Sequence, residues 1–118
     1  MQNIQINQLC FAQWSDKYYY PAVVSAVLHD HVKVVFLDGH CGIAPVEHVV
    51  GLEETFKTME MQGKWQNGWL FYKGALASPQ TMVMHYDDGD IEQVELRQLR
   101  GVRMHCIDLR QQKSDRYN

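Results

Sequence analysis

Short runs of alternating apolar and polar residues make up most of this chain, and turn-forming residues interrupt them at regular intervals. Leu9-Cys10-Phe11-Ala12, continuing to Trp14, reads as a short strand that ends at Ser15-Asp16-Lys17. Tyr18 to Val27 reads as a second, longer strand, because three consecutive tyrosines and a Val-rich continuation favour extended backbone. Pro21 lacks a ladder N–H, which puts that end of the strand at an edge or a bulge. After a turn at His29-Asp30-His31, Val32 to Phe36 alternates as a third strand. Residues 39–42 turn again, Ile43, Pro45 and Val46 start a fourth strand, and residues 47–50 close with a helical turn.

The same order then recurs. Residues 58–62 alternate, 66–68 turn, 69–76 form a long strand, 78–80 turn, 82–86 form a third strand, 87–90 turn and 91–94 form a fourth. Residues 95–100 mirror the first closing turn, 102–107 read as a final strand, and disorder is expected from Gln111 onward. The repeat extends to particular residues. Phe36-Leu37-Asp38-Gly39 returns fifty residues later as Tyr86-Asp87-Asp88-Gly89, and Trp14 with Tyr20 returns as Trp65 with Tyr72. An aromatic running into Asp-Gly is a strand entering a tight turn.

A fifty-residue period predicts two small all-β units, each an antiparallel barrel of five short strands. Residues 1–8 are a lead-in, 9–50 the first unit, 51–57 a linker packed down by Leu52 and Phe56, 58–100 the second unit, and 101–118 a final strand and tail. A unit of that size buries only about 60% of its unfolded surface. The two should therefore pack on each other.

Charge refines this picture. Residues 1–96 carry five Lys/Arg against twelve Asp/Glu, and residues 97–118 carry six against two. An acidic body favours cationic partners, and a basic tail could touch phosphate weakly. Three widely spaced cysteines, Cys10, Cys41 and Cys106, suit reduced thiols of a cytosolic or nuclear protein. No apolar run reaches the roughly 20 residues of a membrane helix, and the first residues have no signal-peptide pattern. Neither membrane insertion nor secretion is expected.

The doubled pattern Trp14-Ser15-Asp16, Tyr20, Phe36-Leu37-Asp38-Gly39 and Trp65-Gln66-Asn67-Gly68, Tyr72, Tyr86-Asp87-Asp88-Gly89 resembles the tandem Tudor domains of chromatin readers, across residues 9–100. The resemblance implies two SH3-like five-stranded barrels in tandem, a nuclear location, and an aromatic cage for methylated lysine on a histone tail or another basic protein. By position, the first cage would be Trp14, Tyr20, Phe36 and Asp38, with His40 as a further flat wall. The second, less favoured, would be Trp65, Tyr72, Tyr86 and Asp88, with Asp90 where an aromatic is frequent in the family.

Physical chemistry gives such a cage a purpose. A methylated ammonium loses little hydration on entering a box of aromatic faces, and each cation–π contact contributes about 0.5–2 kcal/mol. A carboxylate at the rim adds a charge-assisted hydrogen bond when the ligand keeps an N–H. Dimethyl-lysine is thus preferred over trimethyl-lysine, with methyl-arginine a lesser alternative.

The competing readings are aromatics that serve only as core, in an interaction scaffold with no working cage, and a nucleic-acid-binding pair of barrels that uses exposed aromatics and the Arg-rich C-terminal segment. Trp69 and Phe71 are expected to be packing residues on the strand face opposite Tyr72. No His/Cys spacing suits zinc, and no nucleophile or phosphate-loop motif is present, so no cofactor, metal or enzymatic activity is expected.

Overall fold

β1 (Leu9–Gln13) is buried on both of its faces, and the rest of the chain packs around that fact. Side chains alternate along a strand. Cys10 and Ala12 therefore point into one core, with Val24, Val34, Phe36 and Val49, while Phe11 points into another, with Met61, Met84, Tyr86 and Leu99. The computed structural model describes residues 4–103.

β2 (Tyr19–Val27), β3 (His31–Phe36), β4 (Cys41–Pro45) and β5 (Val49–Gly51) complete the first half, with β1 pairing both β2 and β5. The lateral order is β5-β1-β2-β3-β4. After the helix α1 (Leu52–Thr58) come β6 (Met59–Lys64), β7 (Phe71–Ser78), β8 (Val83–Tyr86), β9 (Ile91–Gln93) and β10 (Leu99–Arg103), in the order β10-β6-β7-β8-β9. The second half repeats the strand order of the first.

The likeness reaches single hydrogen bonds. Gly39 and Gly89 have φ of 98° and 100°, and each donates its N–H to the backbone carbonyl of the residue that starts the turn, Phe36 O at 2.8 Å and Tyr86 O at 2.9 Å. Asp38 and Asp88 each accept the N–H two residues on, at 3.0 Å. Positive φ is cheap only for glycine, which explains why the dipeptide is fixed in both copies. Each second strand also carries an irregularity at the matching place, between Val24 and Ala26 and between Leu76 and Ser78.

The all-β class expected from the sequence is present. Two separate barrels are not what the strand pairing gives. β10 bridges to β2 at Gly101↔Tyr19, so all ten strands belong to one open antiparallel sheet. A Cβ at Gly101 would meet the Met59 sulfur of β6 at 2.8 Å, so the glycine leaves room for that side chain over β10. Arg103 adds to the seam, with its guanidinium 5.1 Å from the Tyr19 ring centroid.

Local expectations need further correction. The closing helical turn spans only Val46–His48, and Val49–Gly51 is a strand instead, paired with Phe11 and its neighbours. The expected linker is largely helix α1, pinned by the buried Thr55 hydroxyl donating to Gly51 O at 2.8 Å. Pro21 lies inside β2, not at its edge, but its carbonyl accepts from Leu37 N–H beyond the last β2–β3 pair, so the missing N–H removes no ladder bond. The final strand begins at Leu99 and pairs with β6, and its expected continuation past Arg103 lies outside the described residues, as does the tail.

Candidate functional site

Trp14 follows β1 at the start of a turn, Tyr20 lies near the start of β2, and Phe36, Asp38 and His40 sit at the end of β3 and in the Asp-Gly turn beyond it. Strand pairing brings these three places to one end of the first half, where all five residues line a cavity of about 700 Å³. The volume lies within the roughly 300–1,000 Å³ of ordinary ligand pockets.

The indole of Trp14 meets Phe36 edge to face, with centroids 5.2 Å apart and planes at 87°. Trp14 is 38% exposed whereas Phe36 is 6% exposed, so Trp14 forms a wall and Phe36 the floor. His40 stands 6.0 Å from the Trp14 ring. Asp38 accepts the His40 N–H at 3.0 Å and faces His40 Nδ1 at 3.0 Å. That backbone N–H, more than the imidazole, holds the Asp38 carboxyl below its usual range, against the opposing effect of partial burial.

Tyr20 is held from both sides. Its hydroxyl donates to Asp16 Oδ2 at 2.6 Å and accepts from Arg100 Nη1 at 3.3 Å. Burial and the Asp16 bond push the Tyr20 hydroxyl pKa up, and Arg100 opposes them. Arg100 comes from β10 and lies between the rings of Tyr18 (3.6 Å) and Phe71 (4.1 Å), with Nε donating to Gln62 at 2.7 Å. The second half thus braces a residue of the first half's cavity.

The second half contributes Lys64, Trp69, Phe71, Arg97 and Gln98 to the lining, with the Phe71 ring 6.2 Å from that of Tyr20. Trp69, expected to pack, is 93% exposed, because β7 starts only at Phe71 and the kinked turn before it holds Gln66 at φ 50°. Phe71 is partly buried beneath Arg100. Sequence reasoning missed Lys64, Trp69 and Arg97 as cavity residues; a Trp-Leu pair directly after Gly68 was the available signal for an exposed loop. Arg97, Arg100 and Arg103, expected in a basic tail, belong to the folded sheet and the turn before it.

The second residue set is placed differently. Tyr86 is 5% exposed in the second core, where its hydroxyl donates to Lys64 O at 3.3 Å. Trp65 and Tyr72 are partly exposed, and none of Trp65, Tyr72, Tyr86 and Asp88 lines the 700 Å³ cavity. Among the described residues no cluster of three or more His, Cys, Asp or Glu could hold a metal, and no helix is long and apolar enough to cross a membrane. Cys10 and Cys41 are free thiols.

No known protein family and no curated protein matches this sequence. The functional reading therefore rests on the site itself.

Proposed function

We propose that the cavity between the halves binds a methylated ammonium, preferentially dimethyl-lysine, on a peptide segment of another protein, and that the chain is a binding module of Tudor type. The observation that carries this reading is the convergence of Trp14, Tyr20, Phe36, Asp38 and His40 in the lining of one cavity, with the Asp38 carboxyl kept ionised. Aromatic faces attract a diffuse cation, and the carboxylate accepts an N–H that dimethyl-lysine keeps and trimethyl-lysine lacks. Within the same proposal, each five-strand order represents one barrel, the two sharing a seam at Gly101. The repeated order and the two core clusters support this. A nuclear role on histone tails rests on the resemblance alone.

The nucleic-acid reading has less behind it. Residues 4–103 hold eight Lys/Arg against twelve Asp/Glu, and Arg100 is stacked between rings. Titration with un-, mono-, di- and trimethyl-lysine peptides tests the proposal. Dimethyl-lysine should bind about ten- to a hundredfold tighter than trimethyl-lysine, the usual effect of one charged hydrogen bond. Asp38→Asn should narrow that gap, and Trp14→Ala should remove binding while leaving the fold intact. Equal affinity for all four peptides would sink the reading.

A further inference from the structure

Side chains of both charges line the cavity. Asp16 and Asp38 come from the first half, Lys64 and Arg97 from the second. Lys64 Nζ lies 5.2 Å from the Phe71 ring centroid and has no carboxylate partner among the described residues. Arg97 meets Glu95 through Nε at 2.7 Å, and its side chain is 64% exposed.

A purely basic peptide that placed its alkylated lysine against Trp14 would bring further cations toward Lys64 and Arg97. Like charges at close range disfavour such a complex. At about 700 Å³ the cavity also takes in more than a single side chain. From these observations, and resting on the methyl-lysine reading, we infer that the ligand is a peptide carrying an anionic group, a carboxylate or a phosphate, close in sequence to its methylated lysine. The methylammonium occupies the aromatic wall by Asp38, and the anion faces Lys64 and Arg97. Each half of the chain thereby reads one charge of the ligand, and specificity comes from the pair.

The test uses the full chain and dimethyl-lysine peptides that differ only beside the modified residue: alanine, glutamate or phosphoserine, placed on either side. The glutamate or phosphoserine peptide should bind about tenfold tighter than the alanine peptide, with the advantage shrinking as salt rises. Lys64→Gln and Arg97→Gln should each reduce that advantage to less than about threefold, which a general loss of folding would not do selectively. A stronger effect from phosphoserine than from glutamate would identify a phosphorylated partner, and equal effects an acidic one. If the alanine peptide binds as well as the anionic ones, the inference is wrong and the methyl-lysine reading survives. If no methylated peptide binds, both are wrong.

Discussion

Trp69 is 93% exposed at the rim of the cavity, so truncating it removes almost nothing from the core. Trp69→Ala should leave thermal stability unchanged, within about 0.5 kcal/mol, and weaken peptide binding several-fold; denaturation and titration of the same sample separate the two effects. Cys10 is the opposite case. Burial pushes its thiol from 9.0 up to about 11, so the folded chain keeps a proton that the unfolded chain gives up sooner. Its contribution is fully present below pH 9 and is lost as pH rises toward about 11. Cys10→Ala should flatten that alkaline fall in stability, measured by denaturant unfolding at several pH values. Asp38, with its carboxyl lowered, follows the reverse rule, and its contribution disappears only in acid, as pH falls through its depressed value. Trp14 and Phe36 are legible in the sequence because an aromatic before a turn is a local pattern, and Tyr20 because it recurs with Trp14 as Tyr72 with Trp65. Lys64 and Arg97 are not, because their place at the cavity depends on how the two halves meet.

β1 explains why the two halves act together. Phe11 is completely buried in the second core although it belongs to the first half, and Tyr19 and Val50 join it there. Phe11→Ala should cost about 3–5 kcal/mol, and calorimetry should still show one transition for both halves. Two separated transitions in the unaltered protein would contradict the shared core. Most strands were readable from alternation and Asp-Gly turns, and the observed bounds of β3 and β8 differ from the expected ones by one residue at most at each end. β5 was not readable, since Val49–Gly51 is too short to show a period and follows a helical turn directly. Likewise, the start of β7 depended on the left-handed turn at Gln66, where no glycine marks the spot.

The repeat itself was plain in the sequence, yet the way its copies join was not. A single ladder pair, Gly101↔Tyr19, merges two five-strand orders into one sheet, and a glycine in an ordinary strand context gives no warning of it. Arg100 marks the same seam. Stacked between Tyr18 and Phe71 and bonded to Tyr20, it links the joining of the halves to the shape of the cavity. The proposed function puts a methylated ammonium in this cavity against Trp14, Tyr20 and Phe36. Intermolecular nuclear Overhauser effects from the N-methyl protons of a bound dimethyl-lysine peptide test it most directly. Cross-peaks to the rings of Trp14, Tyr20 and Phe36 are expected; cross-peaks to Trp65 and Tyr72 in their place would rule out binding in this cavity.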